Sequence, residues 1–183
     1  MLALKLARPI VQYGQIRAVI ITLDSVHYGS LETNKKGRQT IVGLVRNRLD
    51  VSEWLTHVTA SSCGAISIFL GTTRSDIVDG KSVSSLFYEA YDAMALKEMR
   101  QLCDKARSIY SVKNIVLMHR LGSVAVKEAS VLLICSGAHR QETLRSTEWL
   151  INELKSRAPI WKREIFTDGA EVWKANKEVF WMQ

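Results

Sequence analysis

The chain has 183 residues, enough for one domain with at most a small appendage, and 47% of them are apolar, enough for a substantial core. Its net charge of +7 invites a nucleic-acid reading, but the excess is local: residues 1–48 hold eight Lys/Arg against two acids, and residues 49–183 hold seventeen against sixteen. The body is nearly neutral, so the pI of 9.5 says little about what a folded domain binds, and no apolar run is long enough to span a bilayer as a helix.

Residues 1–48 show weak periodicity and read as a basic, poorly ordered extension, with Ala18–Leu23 as a candidate strand and Asn34-Lys35-Lys36-Gly37 as a polar linker. Lys5, Arg8 and Arg17 precede the first acid, Asp24, in the charge pattern of an organelle transit peptide. The low serine content and Pro9 speak against that reading. The domain proper is predicted over 49–183. Asp50 followed by Glu53 starts a short helix ending near Ala60. Gly64–Leu70 reads as a strand, Gly71–Asp76 as a polar loop closed by Asp79-Gly80, and Val83–Tyr91 as a second strand. Asp92 is the expected cap of a helix whose Ala95, Met99, Leu102, Cys103, Ala106 and Ile109 recur at helical spacing. Ile115–His119 and Val131–Cys135 read as strands, with a turn at Leu121-Gly122. A second long helix runs from about Gln141 to Leu154, Leu144, Thr147, Leu150, Ile151 and Leu154 facing inward, and Pro159 stops it. Ile160–Phe166 is a strand and Asp168-Gly169 a turn. Strands in adjacent groups rather than a strict βαβ rhythm predict an α+β fold with a mostly antiparallel sheet and two main packed helices. Cys63, Cys103 and Cys135 lie far apart without a Cys-x-x-Cys pair, which suits buried reduced thiols in a reducing compartment and speaks against a zinc site.

No nucleophile elbow, Walker loop, GxGxxG or His-x-x-x-His spacing occurs. What stands out is cationic. Lys155-Ser156-Arg157-Ala158-Pro159-Ile160-Trp161-Lys162-Arg163-Glu164 sets four basic residues around a helix end and the next strand. A helix C-terminus favours cations, so a solvated basic patch is the bland reading. In the strand, Lys162 and Arg163 must point to opposite faces. Ser136-Gly137-Ala138-His139-Arg140 lies at a helix start, where free backbone N–H groups hold phosphate or carboxylate; a plain helix cap is the alternative. Arg74 is a third cation, on the loop after the first core strand. Glu89 and Glu164 are candidate charge partners, and His119-Arg120 reads as turn structure.

At these residues the chain resembles the large subunit of molybdopterin synthase in its eukaryotic form. The matching stretches are CGAISIFLGTTR (63–74), SLFYEAY (85–91), HRLGSVAVKEASV (119–131), SGAHR (136–140), LKSRAPIWKREI (154–165) and WKANKEVFW (173–181). The resemblance implies a hammerhead-like α+β fold and a sulfurtransferase. Such an enzyme converts cyclic pyranopterin monophosphate to molybdopterin with sulfur from the C-terminal thiocarboxylate of a small ubiquitin-like subunit. It implies Lys155 and Lys162 as the catalytic pair, and Arg74, His139, Arg140 and Arg157 as ligands for phosphate and pterin. It implies no metal and no cofactor in this chain, and no catalytic cysteine, because the partner brings the sulfur.

His139 and Arg140 lie at the start of a helix and Lys155 just past its end; about fourteen residues at 1.5 Å rise put the two clusters roughly 20 Å apart. A pterin monophosphate cannot bridge that along one helix, so a homodimer with a shared site is expected, each site capped by a small subunit in a heterotetramer. The cytosol is the expected location, with organelle targeting by residues 1–48 as the alternative; neither nucleic acid nor membrane is an expected partner. Two other classes compete: a binding module whose lysines only dock an acidic tail, and a nucleic-acid binder suggested by Trp161-Lys162-Arg163.

Overall fold

The structure is a computed structural model that describes residues 10–12, 15–19, 28–34 and 37–174. In chain order these form β1 (Ile10–Gln12), β2 (Gln15–Val19), β3 (Tyr28–Thr33), β4 (Gln39–Val45), α1 (Val51–Val58), β5 (Ala65–Thr72), β6 (Ile77–Val78), β7 (Lys81–Ala90), α2 (Asp92–Ile109), β8 (Val112–Arg120), β9 (Gly122–Ala125), β10 (Ala129–Gly137), α3 (Arg140–Arg157), β11 (Ile160–Phe166) and β12 (Glu171–Lys174). One sheet has the order β1-β2-β3-β4-β8-β10-β5; the other runs β12-β11-β7-β6, with β9 also paired to β7. All pairings are antiparallel except β4 with β8, so the fold is α+β, as expected.

The large sheet is covered on both faces. Leu117, Leu133 and Cys135 pack with Met99, Leu102 and Cys103 of α2 and Leu150 and Leu154 of α3. Val116, Met118, Leu132 and Ile134 point to the opposite face, where Val58 of α1 meets them with Trp54 and Leu55 alongside. This double burial explains why β8 and β10 are nearly continuous apolar runs rather than alternating ones.

The sheet reaches back past the boundary predicted at Leu49. β4 lies beside β8, with Ile41, Val42, Leu44 and Val45 each no more than 2% exposed. Arg107 of α2 ties it down, donating to the Gln39 carbonyl and the Thr40 hydroxyl. Arg100 pairs with Glu32 of β3 at 2.7 Å. The charge excess marks out residues 1–48, but the apolar run 40–45 belongs to the core. Of the candidate strand Ala18–Leu23, β2 includes Ala18 and Val19; residues 20–27, the first nine residues and 175–183 lie outside the described residues.

Smaller differences have local causes. Asp50 caps α1 by accepting from the Ser52 amide, but Asp92 is the first residue of α2, not its cap; Tyr91 holds that position without a side-chain bond. Gly122 turns with φ +80, and the chain then pairs with β7 as β9. Asp79 and Gly80 both take positive φ, the signature of a two-residue hairpin turn, and join β6 to β7. Two residues expected to face inward do not: Ile109, the last residue of α2, is 50% exposed. Leu144 is 59% exposed because the inward face of α3 runs through Thr143, Ser146, Thr147 and Leu150 and leaves it on the flank.

Candidate functional site

A cleft of about 470 Å³ opens where the two sheets meet the C-terminal end of α3. β5 and its following loop supply Phe69, Gly71 and Arg74; β8 and β10 supply His119, Ser130 and Val131. Tyr88 of β7, Lys155 of α3, and Lys162 and Glu164 of β11 form the remaining walls. Gly71 is needed on packing grounds, since a Cβ there would stand 2.6 Å from the Val131 side chain.

Local sequence explains how the lysines meet. Helix α3 ends at Arg157, Ala158 caps it with its amide on the Leu154 carbonyl, and Pro159 prevents continuation. The chain turns at once into β11, so the last turn of α3 and the strand face one space. Lys162 pairs with Tyr88 across the strands and faces the cleft; Arg163 takes the other face, as alternation requires. There its guanidinium lies over Phe87 and Trp173, 4.7 and 5.0 Å from the ring centroids, and pairs with Glu171 at 2.6 Å and Glu89 at 3.5 Å. Arg163 and its expected partner Glu89 are therefore structural. Glu164 instead stands 3.6 Å from Lys174.

The six predicted site residues divide three ways. Lys155, Lys162 and Arg74 share the cleft, Arg74 at an exposed position where it pairs with Asp76 at 2.8 Å. His139 and Arg140 line a separate shallow depression with Gln141 and Leu144 at the opposite end of α3. Fifteen residues of helix separate Arg140 from Lys155, about 22 Å at the standard rise. Arg157 is not among the cleft residues; it pairs with Glu98 of α2 at 2.8 Å and Glu153 at 3.6 Å, fastening the two helices together.

Sequence reasoning missed His119, which it assigned to the turn with Arg120. Arg120 does serve the turn, bonding Glu128 at 2.8 Å and the Ser123 carbonyl. His119 is 8% exposed and lines the cleft, its ring edge-on to Tyr88 at 4.9 Å. Burial pushes its pKa down to about 4 and raises that of Tyr88. A signal was available: His119 continues the period-two series Ile115, Leu117, whose side chains join the α2–α3 core. Burial also pushes the Cys103 thiol up to about 12 and raises Cys135, so neither is disposed to act as a thiolate.

Comparison with known proteins identifies the family. Residues 44–157 match the model of the MoaE protein family. A molybdopterin synthase catalytic subunit of Aedes aegypti is 48% identical over 141 residues, covering 75% of this chain and 90% of that one. The bovine molybdopterin synthase catalytic subunit is 44% identical over 82% of this chain and 78% of its own length. The crystal structure of molybdopterin synthase from Staphylococcus aureus superposes with a TM-score of 0.67 at 28% identity, covering 72% of this chain and 94% of that one. A chain from Helicobacter pylori, solved as a complex of subunits 1 and 2 of molybdopterin-converting factor, shares the fold with a TM-score of 0.63 at 24% identity, over 75% and 92% of the two chains. The chain belongs to the MoaE family, the large catalytic subunits of molybdopterin synthase, and is an enzyme subunit of molybdopterin biosynthesis.

Proposed function

We propose that this chain installs sulfur on cyclic pyranopterin monophosphate, taking it from the C-terminal thiocarboxylate of a small ubiquitin-like subunit. The observation that supports this best is the convergence of Lys155 and Lys162, from different elements, on one cleft with Arg74 at its edge. Two ammonium groups suit a reaction whose participants are all anionic. Lys155, on the exposed helix end, meets the acyl group of the incoming tail. Lys162, deeper on β11, stabilises the charge or moves the proton that develops at the pterin carbon. Arg74 holds the phosphate. The thiols of Cys103 and Cys135, shut in the core, fit a route in which the partner brings the sulfur, and three unpaired cysteines suit the cytosol.

His139 and Arg140 join the site from a second copy of the chain. β5 ends the large sheet among the described residues, and it runs from the His139–Arg140 end, where Ala65 pairs with Gly137, to the cleft at Thr72. Two β5 strands paired antiparallel about a two-fold axis would set each Ala65 beside the other's Thr72, bringing the partner's helix start to this cleft. Ile66, Ile68 and Leu70, 38–44% exposed on one face of β5, support burial there. The assembly is then a homodimer capped by two small subunits.

The test is incubation with thiocarboxylated small subunit and the pterin precursor, scored for dithiolene product by mass spectrometry. Wild type forms product; Lys155→Ala and Lys162→Ala fold, bind the small subunit and lose most of it. No product from wild type would refute the reading, and near-normal turnover in either variant would remove that lysine from it.

A further inference from the structure

The cleft contains a buried imidazole to which the proposed reaction gives no task. His119 is the penultimate residue of β8, on the face shared with Leu117, beneath Tyr88 and opposite Val131 of β10. Its Nδ1 lies 2.9 Å from the Arg120 carbonyl oxygen. A carbonyl can only accept, so Nδ1 carries the proton, and in a neutral imidazole Nε2 is then a bare acceptor. Around the cleft the charged groups are Lys155, Lys162, Arg74, Asp76 and Glu164, and the Tyr88 and Ser130 hydroxyls lie on the adjoining strands. Arg74, Asp76 and Lys155 are exposed and Lys162 and Glu164 half-buried on β11, while the wall made by Phe69, Tyr88, Ser130 and His119 is uncharged and largely aromatic. That division matches a ligand with an anionic group at one end and a flat, N–H-bearing heterocycle at the other.

We propose that His119 is a substrate-recognition residue: its Nε2 accepts a hydrogen bond from a ring N–H of the bound heterocycle, orienting it toward Lys162. This rests on the pterin reading of the cleft. Because burial disfavours the imidazolium, the contact keeps its polarity through the neutral pH range. An acceptor, unlike a donor, discriminates for N–H over a ring nitrogen lacking hydrogen at the same position.

The experiment uses the chain assembled with its small subunit and cyclic pyranopterin monophosphate as the probe, with binding followed by calorimetry. His119→Phe keeps a ring against Tyr88 and removes the acceptor; its Kd should rise about tenfold, the usual effect of deleting one neutral hydrogen bond. His119→Gln, which offers an amide oxygen near the Nε2 position, should stay within about threefold of wild type. Small-subunit binding should be unchanged in both. A structural role alone would lower thermal stability in both variants and leave Kd where it was, which would overturn the proposal. Should His119→Phe fail to fold, wild type with ¹⁵N-labelled histidine decides: an unprotonated Nε2 whose resonance moves upfield on saturation is expected. A protonated Nε2 in the free enzyme, or one unmoved by substrate, overturns the proposal while leaving the pterin reading intact. Absence of wild-type binding refutes both.

Discussion

Replacing Leu44 by Ala tests whether the strand before residue 49 belongs to the enzyme's core. Leu44 is 1% exposed, on a strand paired to β3 on one side and β8 on the other, and it packs in the cluster formed with α2 and α3. Truncating a leucine in such a place removes its transfer free energy and leaves a cavity, costing about 3 kcal/mol. With a urea slope of about 2 kcal/mol per molar for a domain of this size, the unfolding midpoint should fall by about 1.5 M. Asn47→Ala, at an exposed position three residues on, is the control and should shift it by less than about 0.3 M. Equilibrium unfolding followed by tryptophan fluorescence reads both. Deletion of residues 1–48 removes β4 entirely and should abolish cooperative unfolding. A Leu44→Ala midpoint within 0.3 M of wild type, as a rough bound set by the control, would show that β4 does not pack as described.

Mixing Arg140→Ala chains with Lys155→Ala chains, each inactive alone, should restore part of the activity in heterodimers; none from verified heterodimers would separate His139 and Arg140 from the site. Replacing Cys63, Cys103 and Cys135 together by Ala should lower stability, because two are fully buried, yet leave sulfur transfer running; a persulfide trapped on any of them during turnover would contradict the thiocarboxylate route. His119, held at about 4 in the folded chain against an ordinary 6.5, binds a proton in the unfolded chain first as pH falls. Its contribution is intact above pH 6.5 and is lost between there and pH 4, to a total of about 3 kcal/mol. His119→Gln should flatten the stability profile over that window, and an unchanged slope would mean that the ring is not shut away.

The long elements were legible because their periodicity is redundant. Helix α2 presents five buried positions at helical spacing, and β10 is an apolar run that only a two-sided cover can accommodate. β4 was missed although its run, Thr40-Ile41-Val42-Gly43-Leu44-Val45, has the same character. It follows a polar linker and sits among cations, and a charge sum over residues 1–48 averages a core strand together with basic neighbours. Nothing local announces its partner either, because β4 pairs in parallel with a strand some seventy residues on. Leu144 differs for another reason: the inward face of α3 begins with the small polar residues Thr143, Ser146 and Thr147, so an apolar pattern places its centre too far toward Leu144.

The site shows the same limit at the level of single side chains. Lys155 and Lys162 line one cleft because one helix stop, Pro159, places a helix end and a strand start within a few residues, so local sequence decides their proximity. Arg157 lies in the same stretch, but the helix turn directs it at Glu98, a residue of α2 that local sequence could not supply. His119 required the opposite inference. Its neighbours suggested a turn, yet its place two residues beyond Leu117 sets it on the core face, and only the packing of Tyr88 from the other sheet makes that position a cleft wall instead of a core contact. Charge is recognisable in a sequence wherever it falls. A neutral acceptor becomes recognisable only when the fold decides what it faces, and this is why the cationic part of the cleft was readable from the chain and its uncharged inner surface was not.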